Sequence, residues 1–299
     1  MLVSAALIAW LVHMAAPASL LDAARHMSVQ ALGLAATIAV VANGLAALRQ
    51  WIILRALGLD LPLTRSVALY WFGLFANNFL PSSVGGDAAI AALLHRRHRR
   101  LATILAALIL NRVIGLASLL MLLLALYVTA DLGPLQVLAN EIFKWSIYLL
   151  VAMCFCLGLV AGIAKSRLRL VRFLGSLQAQ IRAIVDAALS ARLAIALAIG
   201  ISFLVTVLGA TATVVLANSQ NATPGPQIVT MISLMLALIQ MVPISFNGIG
   251  MAESALTYCL SQYGWQIHEA VLLGLLVRVL TIAISLPGAI SLMLPTRNE

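Results

Sequence analysis

Two stretches decide how this chain folds: NNFLPSSVGGD at residues 77–87 and PISFNGIGMAE at residues 243–253. Each follows a short apolar run (66–80 and 227–243) that ends at a proline, Pro81 or Pro243. Each then opens onto a second, brief apolar stretch (88–94 and 254–260). Irregular Pro/Gly-rich backbone within a membrane domain must be buried in protein or line a watery cavity, because lipid cannot satisfy its polar groups. Both segments are therefore expected to be re-entrant helical hairpins, which leave by the side they entered.

The bilayer setting follows from composition. Of 299 residues, 63% are hydrophobic and 9% charged, with a mean hydropathy of +1.09. Soluble domains run at roughly 45–50% apolar and about 25% charged. A soluble enzyme and a disordered chain are both excluded. Besides the hairpin segments, apolar runs lie at about 2–20, 28–54, 101–127, 143–164, 189–217 and 267–294, each long enough to cross a bilayer. The first run has no Lys/Arg ahead of it and is followed by AAPAS, which resembles a signal cleavage site; it is read as a retained span.

Charge gives the orientation. Fourteen of the eighteen Lys/Arg fall in the segments 49–65, 95–100, 165–192 and at Arg297, whereas the opposite loops hold only Arg25 and Lys144. By the positive-inside rule both termini are cytoplasmic, in a cell inner membrane. The net charge of +9 is sorted by the membrane and implies no nucleic acid: no basic patch is interleaved with stacking aromatics. Cys154, Cys156 and Cys259 imply neither a disulfide framework nor a metal site. Basic residues alternate with apolar ones through 165–186, which reads either as an amphipathic helix on the anionic leaflet that gathers lipid or as an anchored linker.

An internal repeat ties the hairpins together. Asp87 follows the first Pro/Gly loop and Arg112 lies 25 residues on; Glu253 follows the second loop and Arg278 also lies 25 residues on. The units are about 1–130 and 140–295 within one membrane domain, 1–299. Three full crossings per unit make the second unit inverted, as the charges at the hairpin mouths require: His95-Arg96-Arg97-His98-Arg99-Arg100 against the uncharged Gln262–Gln266. The expected fold is all-α: six full crossings plus two re-entrant hairpins in two inverted repeats, a secondary-transporter signature.

NNFLPSSVGGD with NRVIGL downstream, and PISFNGIGMAESAL with the Arg278 span, resemble the flippase-like lysylphosphatidylglycerol synthase transmembrane region family over nearly the whole chain. The resemblance implies an integral membrane protein that moves a lipid, or a lipid-linked anionic headgroup, across the bilayer. Larger members append a soluble aminoacyl-transferase domain, which these residues do not contain, so lipid aminoacylation is not carried over. Many members also have a basic residue soon after GGD, where Ala88, Ala89 and Ile90 stand here.

The candidate substrate-binding residues are Arg112, Arg278, Asp87, Glu253, Gly85, Gly86, Asn78, Asn247, Gly248 and Gly250. Helix N-termini beginning at Asp87 and near Gly250 would bind an anion through free N–H groups and the macrodipole, and the two guanidiniums would pair with a phosphate. An alternative uses the same residues: the acids cap their helices and pair with the arginines, with no substrate contact. Asn77, Asn78 and Gln240 either line a cavity or satisfy broken backbone. His95 and His98 lack a third ligand nearby and read as a solvated loop. No nucleophile motif, phosphate loop or metal signature is present, so neither catalysis nor a cofactor is expected. A lipid translocator is the leading class. A scaffold subunit for a lipid-modifying or glycosyl-transferring enzyme is the rival, and an embedded transferase is third.

Overall fold

The computed structural model describes residues 10–11, 13–79, 85–130, 133–141, 144–145, 147–148, 191–220, 225–241 and 248–291. All regular structure among them is helical: α1 (Pro17–Arg25), α2 (Val29–Ala56), α3 (Leu63–Phe79), α4 (Gly85–His98), α5 (Leu101–Thr129), α6 (Arg192–Asn218), α7 (Pro226–Met241), α8 (Met251–Ser261), α9 (Ile267–Ser285) and α10 (Pro287–Ser291), with a 3-10 turn at Gly133–Leu135. Four helices are long and apolar enough to cross a membrane: Val29–Ala56, Thr103–Thr129, Arg192–Asn218 and Ile267–Ile290. The run at 143–164 and the basic segment 165–186 lie largely or wholly outside the described residues.

Local chemistry sets the boundaries. Ser28 caps α2 by accepting the Ala31 N–H at 3.3 Å. At its other end Gly58 adopts φ +75°, and the Leu59 and Gly58 amides bond back to the carbonyls of Leu54 and Arg55, a glycine-terminated Schellman stop. Gly264 ends α8 in the same way. The first apolar run departs from expectation. It is not continuous through residue 20: helix gives way at Ala15 and Ala16, and Pro17 starts α1. Proline suits a first helical position and cannot continue an existing ladder.

The longest seam joins α2 and α6, which run antiparallel. Arg49 meets Ser202, while Ala39, Ala42 and Asn43 share a cleft with Gly209, Ala212 and Leu216. Small residues face each other there: Ala35, Ala42, Ala46 and Ala47 against Ala198, Ser202, Ala210 and Ala212 are all buried. Apolar helices gain little from leaving lipid for one another, so close backbone approach through small side chains carries the packing. The outer faces stay apolar, with Val29, Met121, Leu193 and Val279 exposed. A water-soluble surface would not tolerate so many.

Two shorter helices, α3 and α7, pack on helices distant in sequence. α3 packs on the end of α9 and on α10: Trp71 Nε1 donates to the Ile284 carbonyl at 2.9 Å, and Asn78 Nδ2 donates to Ser285 Oγ at 2.8 Å. α7 packs on α5, where Met231, Leu234 and Met235 join Leu119 and Leu123 in one apolar cluster.

Glycine is required where α3 and α4 touch. A Cβ on Gly86 would overlap the Gly73 carbonyl and sit 2.8 Å from the Asn77 amide. Gly86→Ala is expected to destabilise by about 1–3 kcal/mol through overpacking. Gly33→Ala, in open space, should leave the detergent melting temperature unchanged or slightly raised. Equal melting of the two variants would contradict this packing.

Candidate functional site

Both short helices begin just ahead of their acid. α4 starts at Gly85, two residues before the position expected for it, and α8 starts at Met251, so Asp87 and Glu253 each occupy the third helical position. Each acid then meets the arginine 25 residues downstream. Asp87 Oδ2 accepts from Arg112 Nε on α5, and Glu253 Oε1 accepts from Arg278 Nε on α9 at 2.6 Å.

The second pair is the more enclosed. Its side chains are 9% and 3% exposed (Arg278, Glu253), against 35% and 23% for Arg112 and Asp87. Gly274, one turn before Arg278, lets α9 close on the acid: a Cβ there would lie 3.3 Å from Cβ and Cγ of Glu253. Glu253 has a second task. Its Oε2 accepts the Gly250 N–H at 2.7 Å, with Gly250 itself at φ +83°. This carboxylate is the reaching-back half of a capping box. It occupies part of the N-terminal anion site expected of α8.

At the start of α4 the corresponding capping work falls to a side chain of α3. Asn77 Oδ1 accepts the Gly86 N–H at 2.7 Å, so Asn77 satisfies broken backbone. Asn78 binds Ser285 of α9, as described above. Gly248 adopts φ +71°, and a Cβ there would approach Gln240 Cγ to 2.7 Å. Asn247 lies outside the described residues.

Two cavities lie on the Glu253–Arg278 side of the site. A small one of about 40 Å³ is lined by Gln240, Glu253, Gly274 and Arg278 among others. A central cleft of about 180 Å³ lies between α2, α3, α6 and α9, lined by Ala39, Ala42, Asn43, Gly209, Ala212, Thr213, Val277, Thr281 and neighbours. Val277 and Thr281 form walls of both.

One residue was assigned wrongly from sequence. Arg49, counted with the cytoplasmic loop 49–65, lies inside α2. Its Nε donates to Asn111 Oδ1 at 2.8 Å and its Nη1 to Ser202 Oγ at 2.6 Å. The available signal was the apolar Trp51–Leu54 that follows it, which carries the helix onward to Ala56.

Residues 1–288 match the family described as Lysylphosphatidylglycerol synthase TM region. The chain belongs to that family. With its long apolar helices this makes it an integral membrane protein of a lipid-related family. Comparison with curated proteins and with solved structures gave no match.

Arg278→Gln strands a buried carboxylate and is expected to cost about 3–5 kcal/mol, whereas the double variant Glu253→Gln/Arg278→Gln should recover much of that loss. Asp87→Asn, at the more open pair, should cost less. Thermal unfolding in detergent across this set is the check, and an additive double variant would contradict the pairing.

Proposed function

We propose that this chain is a lipid translocator, moving an anionic lipid or lipid-linked intermediate across the cell inner membrane by alternating access. The observation that carries the reading is the pair of acid–arginine bridges at the starts of two short helices, the second of them next to a cleft built from both halves of the chain. Charged groups inside a membrane are costly and mark substrate pathways by default.

The topology proposed is six crossings and two re-entrant hairpins in inverted repeats, with both termini cytoplasmic. Several observations support it. The acids, the arginines and the first residues of α5 and α9 are all offset by 166 positions. The packing is reciprocal: α2 on α3 is matched by α6 on α7, α4 on α5 by α8 on α9, and α3 on α9 by α7 on α5. The α2–α6 seam joins one counterpart to the other, as a two-fold axis in the membrane plane would. Rocking of one half on the other about that seam would open the cleft to each side in turn.

No catalysis by this chain is part of the proposal. Drive would come from membrane potential, a coupled ion or the lipid gradient. The headgroup passes Arg112 and Arg278, which strengthen their hold on phosphate as their carboxylates yield, and its tail stays in lipid.

Reconstituted liposomes test this. The protein should expose an inner-leaflet fluorescent phosphatidylglycerol to dithionite, and Arg112→Gln and Arg278→Gln should each slow that by about tenfold, the loss of one charge-assisted contact. Variants that fold normally and translocate at the native rate would rule the site out. A copurifying glycosyltransferase with no translocation would favour the scaffold reading. Sidedness is checked separately on a cysteine-free background. Arg100→Cys should label only from the cytoplasm and Gln266→Cys only from outside; labelling of both from one side would sink the inverted topology.

A further inference from the structure

We propose that Arg49 is the anion-holding residue of this membrane domain, taking the singly charged phosphate of an amphiphile whose apolar part lies in the central cleft. The proposal rests on the lipid-handling reading above and adds the residue and the charge state.

Charge balance singles Arg49 out. In the bundle, Asp87 pairs with Arg112 and Glu253 with Arg278, so those four charges cancel. Arg49 has only neutral partners among the described residues, Asn111 and Ser202. It sits seven residues before the end of α2, about 10 Å inside the helix terminus at 1.5 Å per residue. At 28 residues α2 is about 12 Å longer than the ~30 Å hydrocarbon layer, which would set Arg49 just inside the layer's edge, where a lipid phosphate can answer its charge. A phosphate at Arg112 or Arg278 must first displace a carboxylate; at Arg49 nothing has to leave. One net positive charge is cancelled by one negative charge, so a phosphodiester fits and a dianion overshoots.

The residues around Arg49 hold it in place. Ser202 is fully buried, and its hydroxyl donates to the Ile114 carbonyl at 3.3 Å, which leaves its oxygen to accept from Arg49. The guanidinium lies over Gly115, where a Cβ would come within 3.4 Å of Nη1. Asn111 and Ser202 use two of five N–H donors, and the rest of the fork has the geometry that phosphate takes in bidentate fashion.

The cleft lies in line with it. Ala42 of α2 lines the cleft and Arg49 is seven residues further on; Gly209 of α6 lines it and Ser202 is seven residues earlier. Seven residues is two turns, so both steps stay on one helix face and move about 10 Å along it. Because the helices are antiparallel, both steps lead the same way, from cleft to Arg49. The cleft holds about 180 Å³, comparable with the engineered apolar cavities of roughly 150 Å³ that take up benzene. Phosphate at Arg49 would set the first methylenes of a tail there. In the second half, α6 matches α2 at an offset of 162–163 (Val29 to Arg192, Ala56 to Asn218), which puts Thr211 or Ala212 at the position of Arg49, so the anion site has no twin.

Binding tests this independently of transport. Purified protein in neutral detergent is titrated with dihexanoyl-phosphatidylglycerol, inorganic phosphate or neutral dihexanoylglycerol, read by tryptophan fluorescence (Trp51 is two residues from Arg49) and by melting temperature. The native protein should bind the phospholipid saturably and the neutral lipid far less. Arg49→Gln should weaken the phospholipid by about tenfold or more, and Arg49→Lys, which keeps charge without the fork, by less. Arg49→Met, matching the stem length, is the second neutral variant should Gln fail to fold. Native-like affinity in a folded neutral variant overturns the proposal. Inorganic phosphate binding as tightly as the lipid, and dependent on Arg49, keeps the anion site but overturns the placement of the tail. Arg49-dependent binding without liposome translocation would sink the transport reading alone; translocation with Arg49-independent binding would sink this proposal alone.

Discussion

Lipid offers no hydrogen-bond partner, so every break in a helix and every charge within the bilayer must be answered by the protein itself. The interrupted segments of this chain are organised by that constraint. A helix that starts at depth exposes amide groups, and an acid at its third position is well placed to answer them. The acid then needs a cation, which the next long helix supplies 25 residues later. The acids and arginines make such breaks tolerable. Remove either partner, and the remaining charge faces a medium that cannot solvate it.

The same device has two environments. Glu253 both caps Gly250 and binds Arg278, and Gly274 lets the neighbouring helix close over it. Asp87 binds Arg112, but the hairpin amide beside it is satisfied by Asn77, and Leu108 stands where the offset of 166 would place the counterpart of Gly274. Leu108 is itself buried, in the first-half apolar cluster. One pair is therefore sealed and little screened, while the other remains partly open. Identical spacing in sequence fixes who pairs with whom; the small residues nearby decide how dry the pair is.

That division also explains what could be read from the chain. The intramembrane charges were legible because only 9% of residues are charged, and matched spacing of rare residues survives without knowledge of packing. Helix boundaries near Ser28, Gly58 and Pro226 follow local rules of capping and proline placement. Arg49 was not legible in the same way. An arginine near the end of an apolar run resembles an interface residue, and hydropathy cannot separate one turned inward from one reaching the headgroups. Its partners lie 62 and 153 residues away, so only tertiary structure reveals them. The break at Ala15–Ala16 was signalled by Pro17 but hidden by the apolar residues on both sides.

Arg49 matters most for what the repeat cannot supply. Two inverted halves related by a two-fold axis would present equivalent sites to the two sides of the membrane and give neither a preference. Each acid–arginine pair carries no net charge, so neither attracts an anion strongly, although the Asp87–Arg112 pair is the more open. A cation in one half, with Thr211 or Ala212 at the matching position of α6, would break the equivalence of such halves. On the proposal made for Arg49, an anionic headgroup is held more tightly when the cleft opens toward the end of α2 that carries Arg55 and the following basic residues. Asymmetry of binding between the two faces then comes largely from a guanidinium that has only neutral partners among the described residues, and on the proposed topology the framework around it would make the two openings possible.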